Sequence, residues 1–327
     1  LLTAAPARRG VALVFGVLQG FALILGIIGA GYLTARFRIV EGDQRRVLNS
    51  VAFYVATPAL LFSVLSVSDP SVLLSPVILV TSTSAVIVAS VYVIASRLWF
   101  RRDLASTTLG ATTAGYVNSN NLGLPVAIYI LGDAAYVAPL LLVQLVVFTP
   151  VILAVLEATR HPGDTGKGSL VRGALLAFGR AASNPIIIAS LAGFLVALIG
   201  LPIPEIVSAP IDMLGGAAIP MVLLSFGISL RGQRALAPGS GRAATFTASG
   251  IKVLLMPAVA WSIASLLGLG THEVFVATII AALPTAQNVY NYAATYRRAE
   301  TMVRDTVFLT TFASLPVIAL IALLLGE

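Results

Sequence analysis

Long apolar runs alternate with short polar or basic segments along nearly the whole chain. Each run is about 20 residues long, the length an α-helix needs to cross a bilayer. The runs are continuous and do not alternate apolar with polar positions, so they do not fit a transmembrane β-barrel. They predict ten spans, over residues 11–35, 47–68, 71–96, 104–131, 134–157, 182–200, 205–230, 244–268, 272–296 and 303–326. Leu13 to Ala35 is too long for a signal-peptide core and runs into an ordinary loop, so it reads as the first span. Between the fifth and sixth spans, Ser169 to Arg180 is amphipathic and basic. This segment would lie at the interface or lengthen the sixth span.

Composition agrees. The 327-residue chain is 58% hydrophobic and 10% charged, with a mean hydropathy of +0.99. A soluble domain carries about 25% charged residues, so this chain cannot cover a surface facing water. Charge then adds a direction. With ten spans, 17 of the 20 lysines and arginines fall in loops on one side. The positive-inside rule assigns that side to the cytoplasm, which places both termini outside a cell membrane. One miscounted span would scatter the asymmetry. The net charge of +7 is therefore topological, and no nucleic-acid partner is expected.

Two of the runs are interrupted by polar residues, and these interruptions suggest function. Asn118, Asn120 and Asn121 precede Gly123 and Pro125 in the fourth span. In the ninth, Pro284 is followed by Thr285, Gln287, Asn288 and Asn291. Proline removes a backbone donor and crowds the carbonyl four residues back, and glycine permits non-helical angles. Broken backbone at membrane depth is tolerated where it is buried in protein or lines a cavity. Paired broken helices in the two halves of a duplicated chain mark the binding site of many secondary transporters.

The chain does look duplicated. Pro58 and Pro220, Pro125 and Pro284, and Pro150 and Pro316, each with similar neighbours, recur at an offset of roughly 160 residues. This gives repeats over 1–158 and 182–327, joined by a linker and amphipathic segment over 159–181. Five spans per repeat is an odd number, so the second repeat is inverted in the membrane.

Asn118, Asn120, Asn121, Gln287, Asn288 and Asn291 are the candidate substrate-binding residues. Amides both donate and accept, and half-helix ends add free backbone groups, which suits a carboxylate, an amide or a hydroxyl. Single membrane amides commonly only hold helices together; six beside two related prolines favour a binding site. Lys252 is the one basic residue well inside a span. It is a candidate for anion attraction or coupling, weighed against snorkelling to the nearby interface. Asp212 is the best carboxylate for a proton or cation relay, weighed against an ordinary helix-end acid. Glu157 and Asp305 read as solvated helix ends. No acid lies near the centre of a span, which disfavours an antiporter with a paired-carboxylate ion site.

Other chemistry is excluded. There are no cysteines and two histidines, so thiolate and histidine-cluster metal sites are absent, and no cofactor is expected. There is no P-loop, no zinc-protease motif after His272-Glu273, and no Gly-x-Ser-x-Gly elbow, so the chain does not read as an enzyme.

The order and spacing of several short motifs resemble the auxin efflux carrier family, which includes the plant PIN-formed exporters and many bacterial members. They are Pro58-Ala-Leu-Leu-Phe62, Asn118-x-x-x-x-Gly123-x-Pro125 with Tyr129 and Gly132 following, Asn184-Pro185, Ala282-Leu-Pro284 and Leu315-Pro316. The resemblance covers nearly the whole chain. It implies an all-α polytopic membrane protein, with ten helices in two inverted five-helix repeats, of the sodium/proton-antiporter or bile-acid-symporter type. Spans 1, 2, 6 and 7 would form a scaffold, often dimeric. Spans 3–5 and 8–10 would form a transport unit, with the fourth and ninth crossing at Pro125 and Pro284. An elevator-like movement of a small organic anion follows, with Asn118 on its carboxylate. Bacterial relatives are linked to dicarboxylates such as malate or malonate. The plant family's long central loop is missing here, so regulation through its phosphorylation is not expected. Two other readings stay open: a sodium-coupled carrier of the bile-acid-symporter type, and a membrane sensor that binds the ligand without moving it.

Overall fold

The computed structural model describes residues 6–40, 42–69, 75–159, 183–231, 236 and 241–326. The linker and amphipathic segment expected after Thr159, up to residue 181, lie outside the described residues. The described chain is helical, and among the described residues there is no strand. The helices are numbered here α1 (Pro6–Arg36), α2 (Asp43–Val67), α3 (Pro76–Phe100), α4 (Leu104–Gly115), α5 (119–131), α6 (Ala134–Ala158), α7 (Pro185–Ile199), α8 (Glu205–Leu230), α9 (Arg242–Leu266), α10 (Thr271–Ala282), α11 (Asn288–Tyr296) and α12 (Glu300–Leu325). Six of them, α2, α3, α6, α8, α9 and α12, are long and apolar enough to cross a membrane. The chain is thus a polytopic membrane protein by length and composition of its helices.

Local chemistry sets the helix ends. Ser75 caps α3 by accepting from Val77 N at 3.3 Å, with Pro76 in the first turn. Asn184 caps α7 by accepting from Ile186 N at 2.9 Å, ahead of Pro185. Both pairs combine a side-chain acceptor with a residue that has no amide hydrogen to satisfy.

Four prolines inside the spans are absorbed by widened turns, whereas Pro210 of α8 and Pro316 of α12 lie within regular α-helix. Single π-helical turns cover Ala52–Ala56 before Pro58, Ser119–Gly123 before Pro125, Gln144–Phe148 before Pro150 and Ile251–Leu255 before Pro257. In each, the amide just before the proline reaches back five residues, as Thr149 N does to Gln144 O. The wider turn makes room for a pyrrolidine ring that would otherwise collide with the carbonyl four residues earlier.

Packing divides unevenly. α1 packs most extensively on α8, and α2 on α7 and α8. α3, α4, α9, α10 and α12 pack mainly on one another. The first interface is close enough that a methyl group at Gly31 or Gly227 would run into the backbone of Leu224 or Ile28. At Gly193 of α7 an added Cβ would lie 2.7 Å from Phe62 O of α2. Small residues that bring helix backbones together replace the hydrophobic effect, which does not drive association between helices in lipid.

Candidate functional site

Two stretches interrupt the helices, 116–118 between α4 and α5 and 283–287 between α10 and α11. They run antiparallel past each other, with Val117 paired to Thr285. Asn118 N donates to Pro284 O at 2.8 Å, and Ala286 N donates to Tyr116 O at 3.1 Å. Thr285 Oγ1 donates to Thr113 O at 2.7 Å, satisfying a carbonyl in the last turn of α4. Each broken segment therefore completes the other.

Two further helices finish the accounting. Gln144 of α6 donates to Val117 O at 3.0 Å and accepts from Ser119 Oγ at 2.6 Å. Thr310 Oγ1 of α12 accepts from Thr285 N at 3.1 Å. Buried backbone groups without partners are costly, so these two side chains are what allows the crossing to exist in an apolar interior. Sequence reasoning passed over both. For Gln144 the only signal was a lone polar residue in an apolar run, and Thr310 is one of the adjacent pair Thr310-Thr311.

The crossing places the predicted residues unequally. Pro284 lies at the crossing itself. Gly123 is beside it: its N donates to Asn118 O at 2.7 Å, and a Cβ there would press on Leu283 at 3.2 Å. Pro125 lies further along, inside the continuous part of α5. The chain opens upstream of it, because the widened turn at Ser119–Gly123 absorbs the proline.

A small cavity of about 160 Å³ adjoins the crossing. Asn120 and Asn121 of α5 line it with Gln287, Asn288 and Asn291. Five of the six predicted amides therefore converge on one space, from two helices far apart in sequence. Asn118, expected on the carboxylate, does not line this cavity. It is 3% exposed, and its Oδ1 accepts from Asn121 N at 3.0 Å, capping α5 and fixing the turn that presents Asn121. Its Nδ2 is buried without a partner, as is Oδ1 of Asn120.

The amides form a directional row. Asn120 Nδ2 donates to Asn121 Oδ1 at 3.1 Å, Asn121 Nδ2 to Gln287 Oε1 at 3.3 Å, and Gln287 Nε2 to Ser229 Oγ at 3.2 Å. The lining also includes Leu141, Leu145, Ile186 and Phe53. A cavity lined by both amides and apolar side chains suits a small organic molecule with one strongly polar end. Its size is below the roughly 300 Å³ at which drug-sized pockets begin.

The sequence reading also missed the cationic side of the site. Arg45 and Asn49 of α2 and Ser225 of α8 line the same cavity. Arg45 also borders a wider recess, of about 670 Å³, with Arg46 and Arg231. Charge patterning had counted these arginines only towards topology. Among the described residues, no aspartate or glutamate lines either space.

Lys252 does not snorkel. It is fully buried, and its Nζ donates to Ala281 O at 3.1 Å and Met256 Sδ at 2.9 Å. Ala281 is in the last turn of α10, so the lysine side chain satisfies a helix-end carbonyl at the edge of the crossing. Asp212 is exposed on α8 and lines neither space. The two acids read as solvated helix ends are not free. Asp305 is 3% exposed and accepts from Arg304 Nε and Nη2 at 3.1 and 3.0 Å. Glu157 is half-buried and accepts from Tyr296 OH at 3.0 Å. Helix packing encloses both, which charge counting along the chain does not register.

An all-helical membrane protein whose broken helices meet beside a small amide-lined cavity has the build of a transport protein. The chain belongs to the membrane transport protein family, of the auxin efflux carrier type: the family model matches residues 17–167 and 170–322. It is a membrane transporter, not an enzyme. It is similar to a protein of Rhizobium meliloti (strain 1021) named "Putative malonate transporter", with 28% identity over 88% of this chain and 89% of that one. Two archaeal proteins, each named an uncharacterized transporter, are also similar. The one from Methanocaldococcus jannaschii is 23% identical over 91% of this chain and 95% of its own, and the one from Methanothermobacter thermautotrophicus is 26% identical over 89% and 93%.

Proposed function

We propose that this transporter carries a small organic anion, a carboxylate, across the cell membrane by alternating access of the amide-lined cavity. The observation that carries this reading is the convergence of Asn120, Asn121, Gln287, Asn288 and Asn291 on one small cavity beside the crossing. The name of the Rhizobium relative supports a carboxylate, and malonate is the first candidate. In this reading α4 with α5, and α10 with α11, are the two broken spans of a ten-span inverted repeat. The mutual packing of α1, α2, α7 and α8 supports a fixed scaffold, against which the remaining helices move as an elevator. The cavity volume favours a small anion over a steroid-sized one and so speaks against a bile-acid-type substrate.

Purified protein in proteoliposomes, screened with malonate, malate, acetate and indole-3-acetate, tests the reading. Saturable uptake of one carboxylate, lost in Asn121→Ala with unchanged thermal stability, is the expected result. Full uptake by Asn121→Ala would show that the amide cavity is not the substrate site.

A further inference from the structure

Arg45 sits where two features meet. It lines the amide cavity and also the wider recess bordered by Arg46 and Arg231. It is half-buried and, among the described residues, pairs with no carboxylate. A partly desolvated guanidinium with no counter-charge is costly unless an anion visits it, and its planar donors match a carboxylate. Asn121 and Gln287 line the same cavity. The helix that carries Arg45, α2, packs on α7 and α8, whereas α11, which carries Asn288 and Asn291, packs on α12 and α4. The cavity is therefore built from two groups of helices, and its one cation belongs to a different group from the one that carries Asn120, Asn121, Gln287, Asn288 and Asn291.

We infer that Arg45 is a one-sided anion contact: it holds the substrate's negative charge only while the cavity faces the arginine-bordered recess. This inference rests on the carrier reading above. An anion held by the amides in this arrangement also faces the guanidinium. When the amide-bearing helices move relative to α2, the anion keeps its amide partners and loses Arg45. Substrate is then bound more tightly from the recess side than from the other side, and Arg45 sets that difference. If Arg45 contributed only to topology, its loss would leave substrate affinity unchanged.

The chain has no cysteine, so a single one reports orientation. Phe37→Cys, on the exposed turn between α1 and α2, marks the recess side for an impermeant thiol reagent. In proteoliposomes of known orientation, KM for radiolabelled malonate is measured from each face for this background, for Arg45→Gln, for Arg45→Lys, and for Arg36→Gln, an exposed arginine outside both spaces. Malonate binding in detergent is followed in parallel by thermal shift. Arg45→Gln raises KM from the recess side by about tenfold or more, as loss of a hydrogen bond to a charged group does. KM from the other face stays within about twofold, Arg45→Lys recovers part of the loss, and Arg36→Gln changes neither face. Equal shifts on both faces, or none, overturn the inference and leave the carrier reading standing. Malonate binding that depends on Arg45 without any flux overturns the carrier reading and the sidedness together. No binding and no flux of malonate by the unsubstituted protein overturns the inference as stated.

Discussion

Thr285 hands its hydroxyl hydrogen to the backbone carbonyl of Thr113, 172 positions earlier in the chain, at 2.7 Å. The carbonyl belongs to the last turn of α4, where no intrahelical amide is left to pair with it. The threonine lies in the opposite broken segment, so one side chain closes a helix end and ties the two breaks together. Thr285→Val keeps the shape and removes the donor. We expect a loss of about 1–3 kcal/mol, the cost of an unsatisfied buried carbonyl. Thr285→Ser should recover most of it. Thermal unfolding in detergent compares the two, and an unchanged midpoint for Thr285→Val would contradict the role.

Gln144 has a heavier task, because it serves a backbone carbonyl and a side-chain hydroxyl at once. Gln144→Leu leaves Ser119 Oγ without its acceptor in an apolar interior, and leaves Val117 O with only Ser119 N as a donor, at 2.9 Å. The expected cost is about 2–4 kcal/mol, with uptake lost alongside, since Ser119 begins the helix that carries Asn120 and Asn121. Paired measurements of unfolding midpoint and uptake check this. Retention of both would mean that the crossing is satisfied in another way.

Lys252 gives a prediction of opposite sign. A buried cation with a carbonyl and a thioether for partners, and no ion pair among the described residues, is retained at a cost in stability. Lys252→Met fills the same volume without charge. Removal of the buried ammonium should offset the Ala281 carbonyl left unpaired, so the unfolding midpoint should equal or exceed that of the unsubstituted protein. Lys252→Glu, by contrast, places an anion against the carbonyl end of α10 and should fail to fold. Thermal unfolding of the Met variant decides the matter: a clear fall would show that the ammonium is a net stabiliser of the crossing.

Gly227 tests the packing between α1 and α8. No side-chain carbon fits there against the Ile28 carbonyl. Gly227→Ala should cost about 1–3 kcal/mol through overpacking. Gly216→Ala, in the same helix with open space around it, should be close to neutral or slightly stabilising. Thermal unfolding midpoints of the pair check this; similar values would refute the close approach.

Much of this architecture is legible in the sequence, because lipid demands long apolar runs and tolerates few departures from them. The amides at 120, 121, 287, 288 and 291 stood out for that reason, and so did the break at Pro284. Pro125 misleads because the sequence cannot show that a widened turn will absorb a proline, while the chain opens at 116–118 instead. Asn118, expected on the carboxylate, uses its Oδ1 to cap α5 outside the cavity lining: capping and ligand binding draw on the same side chain, and a sequence does not tell them apart. Gln144 is a single polar residue and Thr310 one of an adjacent threonine pair, and the partners of both are remote in sequence, so no local pattern marks them. Arg45 stayed hidden among arginines that serve topology, since charge counts do not tell which guanidinium turns inward.

The crossing has one more consequence. Its backbone bonds, with those from Gln144, Thr285 and Thr310, all close within α4, α5, α6, α10, α11, α12 and the segments joining them. Between described residues, the side-chain hydrogen bond linking this set to α1, α2, α7 or α8 is Gln287 to Ser229. Sliding one set past the other would therefore leave the unwound backbone sealed while breaking that amide–hydroxyl link. In the proposed carrier cycle the unwound, fragile part of the protein would travel as a self-contained cartridge, with its own hydrogen bonds intact.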